Sequence, residues 1–306
     1  MSRSPSGAQY ELTCGDQHAV VVELGAGLRS YGSAMDIVDG YARDEPCPGS
    51  RGELLLPWPN RIAGGRYAFE GRALQLPVNE TRTGSAIHGL TREMPWRAVD
   101  LSSDHVSLTL DLHPQQGYPF ELGLAVTYAL SATGLAVHTT ATNRSDTSCP
   151  YGAGAHPYVR VADGELIDDA VLTVPASVTL EADALGIPTG DAHKVDGTAF
   201  DFRAPRPIGA TILDTAYTDL RADDDGITRI SLAPSGGGHE VVVWMDATHP
   251  YAMIYSGDTL ADVPRRRHGL AIEPMTCAPN AFNSGAGLIT LQPGESHTST
   301  WGITAP

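Results

Sequence analysis

The chain has 306 residues and carries 36 Asp and Glu against 20 Lys and Arg, a formal net charge of −16, although only 18% of its residues are charged and 42% are hydrophobic. That length suits one large domain or two small ones, and an acidic balance without a basic stripe excludes steering to nucleic acid or to an anionic membrane. The 33 glycines and 22 prolines mark a turn-rich but folded protein, and no apolar run approaches the ~18–20 residues that span a bilayer.

Strict apolar–polar alternation is the dominant pattern, and it predicts strands with one buried face. The series opens with His18–Leu24. Tyr67–Leu76 follows as a hairpin, because Glu70-Gly71 lies between two short runs and Gly accepts positive φ at the turn. Val106–Leu112 alternates Val106, Leu108, Leu110 and Leu112 against Ser107, Thr109 and Asp111. Glu121–Leu130 repeats the pattern with Leu122, Leu124, Val126, Tyr128 and Leu130, and with Leu135–Thr142 these three read as an antiparallel meander. Further strands are predicted at Ala170–Val174, Val178–Glu181, Glu240–Asp246, Tyr251–Tyr255 and Leu288–Leu291.

No window of about 12 residues sustains the i, i+3, i+4, i+7 repeat, so long amphipathic helices are not expected. Many short strands separated by turns imply an all-β sandwich with two large packed sheets, and no repeat suggests a propeller. Arg203–Pro207 and Pro234–Gly238 read as loops within one strand series, which favours a single domain.

Several segments break the alternation. Leu54–Gly65 places two prolines and a Trp before Asn60-Arg61; it is a rigid loop that either presents Arg61 in a fixed place or ends in a surface arginine. Ile87-His88-Gly89-Leu90 puts a His at a tight strand end, as a hydrogen-bonded structural residue or a functional one. In Tyr151–Tyr158, Gly152 and Gly154 allow close backbone approach and Pro157 holds His156 extended, which suits a positioned acid or base. Glu273 follows Leu270-Ala271-Ile272 directly, so it stands at a strand end or partly buried, and a buried carboxylate needs a partner or a task. Asp214 lies in Ile212–Leu220, with a plain turn residue as the alternative. Arg265-Arg266-Arg267 is the one dense basic run, either a solvated loop or a reception point for an anionic ligand.

Spacing removes several chemistries. There is no H-E-x-x-H, no G-x-S-x-G elbow, no phosphate-binding loop and no dinucleotide fingerprint opening a helix. Cys14, Cys47, Cys149 and Cys277 are far apart without a C-x-x-C pair, which predicts reduced thiols in a cytoplasmic protein and no structural zinc. Met1–Tyr10 lacks a basic segment followed by an apolar stretch, so no secretion signal is expected. What remains is a cofactor-free site of His, Glu, Arg and Asp on a β scaffold.

Five of these segments, in order, resemble the aldose 1-epimerase (galactose mutarotase) family: Pro57–Asn79, Ile87–Leu90, Gly152–Val159, Leu213–Leu220 and Ala271–Gly285. The likeness covers nearly the whole chain. It implies a large antiparallel β-sandwich of the galactose mutarotase type, with few short helices, spanning 1–306 as one domain. It also implies an isomerase that interconverts the α and β anomers of a free aldohexose, with Glu273 as base, His156 as acid, and His88, Arg61 and Asp214 on sugar oxygens. The implied partner is a small sugar, with no metal or other cofactor, and the chain is expected to be a monomer or homodimer.

Mutarotation asks for a base at the C1 hydroxyl and an acid at the ring oxygen, on opposite sides of the anomeric centre, each worth about 10²–10⁴-fold. His156 is followed by Pro-Tyr-Val, where many members have an aromatic after the Tyr, and Glu273 by Pro-Met, where Gln is common. These departures leave the preferred sugar open. Three other readings are an epimerase for an anionic sugar, in which Arg265–Arg267 matter, a non-catalytic sugar-binding module, and a glycoside hydrolase using Asp214 and Glu273.

Overall fold

The computed structural model describes residues 4–161 and 164–304. Its largest sheet has nine strands in the order Arg206–Pro207, Val171–Thr173, Thr228–Ala233, Val241–Met245, Ser296–Thr304, Gly134–Asn143, Leu122–Ser131, His105–Leu112 and Arg97–Leu101. The second has six: Tyr158–Val159, Leu270–Met275, Tyr251–Tyr255, Asp214–Leu220, Ala176–Ala182 and Pro188–Lys194. A three-stranded sheet, Gln9–Cys14, Gln17–Val22 and Leu28–Gly32, accompanies them, and the strand pairs are antiparallel throughout. The α-helix among the described residues is a single turn, Ala281–Ser284. The all-β expectation therefore holds, and no described helix is long and apolar enough to cross a membrane.

The alternation read from the sequence is what builds the core. Val106, Leu108, Leu122, Leu124, Val126, Tyr128, Leu135 and Val137 from the nine-stranded sheet lie in one buried cluster with Ala252, Ile254, Leu270, Ile272 and Tyr217 from the six-stranded sheet. The residues between the latter, Ala216, Met253 and Ala271, belong to separate small clusters on the opposite face. Because side chains alternate with period two, the six-stranded sheet gives one face to the sandwich core and keeps the other for a site.

Some details differ from the sequence reading. Asp214 opens a strand rather than lying in a turn, and Arg206–Pro207 of the expected loop pairs as an edge strand with Val171 and Leu172. Pro188–Lys194 gives no strand signal in the sequence because as an outer strand it is exposed along nearly its whole length and has no apolar face. Ser296–Thr304 is an additional strand: it carries a Ser/Thr ladder on its outer side, with Thr298 on Thr140 at 2.9 Å and Ser296 on Thr142 at 2.7 Å, in place of apolar residues. The hairpin is as expected, Arg66–Phe69 against Arg72–Gln75, with positive φ at both Glu70 and Gly71, the geometry of a type I′ turn.

Candidate active site

Four strands of the six-stranded sheet align a row of side chains on its free face. Asp214 pairs with Tyr255, Tyr255 with Ala271, and Ala271 with Tyr158. Two residues further along, on the same face, Met253 stands opposite Glu273. The small Ala271 and Ala216 leave room above the sheet, so the larger groups around them line a cavity of about 280 Å³. That volume is near the lower end of the ~300–1,000 Å³ usual for small-molecule sites.

Loops complete the cavity. Arg61–Ile62 pairs with Ala86–Ile87, which brings the two segments singled out in the sequence side by side. Asn60 and His88 both have positive φ, and the His88 amide donates to the Asn60 carbonyl at 2.9 Å. Gly89 is required there: a Cβ would lie 2.0 Å from the Leu56 carbonyl oxygen. Gly152 and Gly154 serve the same end, since a Cβ would meet Cys277 Sγ at 2.5 Å and Pro59 at 2.8 Å. His156 is then pinned through its backbone, its amide donating to Glu53 O at 3.0 Å and its carbonyl accepting from Gly52 N at 2.9 Å.

Glu273, His156, His88, Arg61 and Asp214 all line this one cavity. Glu273 is 2% exposed and His156 5% exposed, and His156 Nε2 lies 3.3 Å from Glu273 Oε1. The two touch side by side rather than facing each other across a gap. Glu273 Oε2, His156 Nδ1 and His88 Nδ1 are buried without a hydrogen-bond partner, an arrangement that costs stability unless a ligand uses it.

The electrostatics follow from burial. Burial pushes the Glu273 carboxyl well up, Asp214 adds to this, and Arg61 opposes it. Burial pushes the His156 imidazole down to about 3, with the charges of Arg51 and Arg92 acting in the same direction. His88 is likewise held well below the usual imidazole value, first by burial and then by His156, Arg92 and Arg61. Asp214 reaches solvent through the cavity mouth yet is ringed by protein, and that desolvation lifts its carboxyl while Arg61 pulls it back.

Several residues around the five carry no signal in the sequence. Glu80 takes Arg61 in a fork, accepting from Nε at 2.7 Å and from Nη2 at 3.0 Å, while Thr83 donates to the same carboxylate. This pairing joins positions 19 apart across a loop, so neither charge pattern nor periodicity shows it. Tyr158 stacks on His156 with centroids 5.0 Å apart, and the Arg51 guanidinium carbon lies 4.4 Å from the centroid of the same Tyr ring. Period two does place His156 and Tyr158 on one face, the one signal of this group that the sequence carries. Arg51, 1% exposed, is held by Asp39 through Nε at 3.1 Å and Nη2 at 3.0 Å.

The arginine run is neither a solvated loop nor part of the cavity wall. Arg265 pairs with Asp262 at 3.2 Å and Glu45 at 2.7 Å, Arg266 donates to Leu260 O at 2.8 Å, and Arg267 pairs with Asp258 at 3.0 Å. All three clasp the segment 258–262, whose Thr259, Leu260 and Ala261 line the cavity. Arg265 and Arg267 also tie that wall to remote segments, through Glu45 and through Asp168.

The chain matches the family model described as aldose 1-epimerase over residues 8–304. It is 36% identical over 294 residues to the uncharacterized protein YihR of Escherichia coli (strain K12), covering 95% of this chain and 91% of that one. It is 28% identical to the galactose mutarotase of Rattus norvegicus, over 88% of this chain and 84% of the relative. Among solved structures, the GalM/aldose epimerase homologue from C. elegans superposes with a TM-score of 0.85 at 20% identity, covering 97% of this chain and 98% of that one, and so shares the fold. The chain belongs to the aldose 1-epimerase family and is an isomerase.

Proposed function

We propose that this isomerase is a mutarotase for a free aldohexose, working through Glu273 and His156. One observation carries the reading: a buried carboxyl and a buried imidazole, 3.3 Å apart, converge on one sugar-sized cavity with a polar atom of each unpartnered. Mutarotation acts on two oxygens bonded to the same carbon, so its acid and base must stand close together. Glycoside hydrolysis instead wants two carboxylates about 5–9.5 Å apart around a glycosidic bond.

Glu273 takes the proton of the C1 hydroxyl while His156 delivers one to the ring oxygen. The C1–O5 bond breaks, leaving an open-chain aldehyde, which rotates about C1–C2. Closure on the other face reverses both transfers, so protons balance over the cycle. The pair needs one proton between its members. With Glu273 raised and His156 lowered by burial, that proton rests on the carboxyl, and transfer across the 3.3 Å contact forms the carboxylate and imidazolium used in catalysis. Arg61 favours this ionised form.

In this reading Arg61, His88 and Asp214 hold the remaining sugar oxygens, and the Glu80 fork fixes the guanidinium plane so that its free N–H groups meet hydroxyls. Glu80→Gln is expected to raise KM for the sugar about 5–30-fold through loss of one charge-assisted fork, with a smaller change in kcat. Partial rescue by Glu80→Asp, measured in the same steady-state assay, separates orientation of Arg61 from simple loss of stability. Two-dimensional exchange NMR on galactose and glucose tests the function itself, since it observes anomer interconversion directly at equilibrium. Exchange accelerated over buffer supports the reading, and an unaccelerated rate with both sugars overturns it.

A further inference from the structure

The imidazole of His156 faces Glu273 Oε1 through Nε2 at 3.3 Å, and its buried Nδ1 has no hydrogen-bond partner among the described residues. A catalytic imidazole is ordinarily aimed by a hydrogen bond at its second nitrogen, which fixes the ring plane and the tautomer. Ring contacts take that place in this site. Tyr158 stacks on the imidazole with the two planes 21° apart, and His88 meets it nearly edge-on, centroids 5.3 Å apart at 78°.

Tyr158 is locked in turn by the segment 48–53 and by Asp39. Its hydroxyl donates to Gly49 O at 3.2 Å, and its carbonyl accepts from Asp39 N at 2.8 Å. Arg51 joins these two anchors: Nη1 donates to Pro48 O at 3.1 Å, Nε and Nη2 both donate to Asp39 Oδ2, and the guanidinium carbon stands 4.4 Å from the Tyr158 centroid. The same segment grips the His156 backbone through Gly52 N and Glu53 O. Its path is fixed, with Ser50 at φ +61° and a Gly52 whose Cβ would lie 1.9 Å from Leu28 O. Stability alone is a poor account of Arg51, because a buried ion pair gains little over the desolvation it costs. Arg51 is not among the residues that line the cavity, so it does not meet the sugar, yet it holds the ring against which the imidazole rests.

We propose that Arg51 is a positioning residue for the reaction: braced on Asp39, it fixes the Tyr158 ring and through it the plane of the His156 imidazole, so that the proton is aimed at the sugar ring oxygen. This rests on the mutarotase reading and adds to it a residue that acts without touching substrate. A displacement of about 1 Å at the reacting atoms can cost about 10²-fold, which is what the brace prevents.

The test compares wild type with the Asp39→Asn/Arg51→Met double variant, which removes the brace without orphaning a buried carboxylate, and with Arg51→Lys, which keeps the charge and loses the planar fork. Exchange NMR on galactose and glucose is expected to show kcat lowered about 10–100-fold in the double variant with KM within about twofold, and Arg51→Lys between it and wild type. The carbon-bound ring protons of His156, assigned by their loss in His156→Asn, are expected upfield in wild type from the Tyr158 ring current. In the double variant they should move toward ordinary histidine positions. Ring signals that stay in place, or a wild-type kcat, overturn the proposal. So does a KM that rises as much as kcat falls, since Arg51 would then act on sugar binding. Should the double variant not fold, Arg51→Lys decides: wild-type kcat with unmoved ring signals removes the brace. If wild type exchanges neither sugar, the acid–base reading falls, and the ring signals still uphold or remove the hold of Arg51 on the imidazole.

Discussion

Glu273→Gln is expected to lower kcat for anomer exchange by about 10²–10⁴-fold, the scale of one general acid–base group, while the fold persists. Gln keeps the volume of the side chain in a site where Glu273 is 2% exposed, but its amide cannot take the C1 hydroxyl proton. The same substitution changes the pH dependence of stability in a defined direction. A carboxyl whose folded value is raised by burial gives stability that is fully present below the ordinary carboxylate value and is lost as pH rises through the raised one. The variant has no such group. Its melting temperature relative to wild type is therefore expected to increase with pH from the ordinary carboxylate range upward, which parallel thermal melts will show. A variant retaining near wild-type exchange removes Glu273 from the mechanism, and a melting difference independent of pH removes the assigned burial effect.

How legible this site was depends on which forces place each residue. The alternation in Val106–Leu112 and Glu121–Leu130 was read correctly because those strands bury one face and expose the other, and Val106, Leu108, Leu122 and Leu124 are all in the core. Ser296–Thr304 escaped because its outer face is a hydroxyl ladder, and Pro188–Lys194 because an outer strand needs no apolar face. Within the site, the local stiffness around His156 was visible in Gly152, Gly154 and Pro157, and the structure supplies what they pack against, Cys277 and Pro59. The Glu80–Arg61 fork and the place of Arg51 over the Tyr158 ring are not visible in the sequence, because each joins residues from separate segments whose proximity is a tertiary outcome; of the stack, only the shared face of His156 and Tyr158 follows from their spacing. The arginine run shows the converse: conspicuous in the sequence, it is paired with carboxylates of its own loop, Asp258 and Asp262, and of remote segments, Glu45 and Asp168.

The His156→Asn variant is expected to lose a comparable 10²–10⁴-fold in kcat, and its pH dependence separates an acid from a merely structural imidazole. In the wild type the pair must hold one proton, and its apparent titrations belong to the pair rather than to either residue. Burial holds His156 near 3, so a second proton enters only in strong acid, and the acid limb of the rate is expected below the ordinary carboxylate range. Without the imidazole, the remaining chemistry depends on ionised Glu273 alone. The residual rate should then rise with pH through the elevated Glu273 titration instead of holding a plateau. Stability moves in the opposite sense to the Glu273 case. A His with a depressed folded value loses stability as pH falls from its ordinary value of about 6.5 toward the folded one, because the unfolded chain binds the proton first. His156→Asn should therefore gain melting temperature relative to wild type across that interval. Rate profiles and melts recorded on the same buffers test both arms: a wild-type acid limb near 6.5, with no relative gain in melting temperature in acid, would show that His156 titrates as an exposed imidazole and that the buried one-proton pair is wrong.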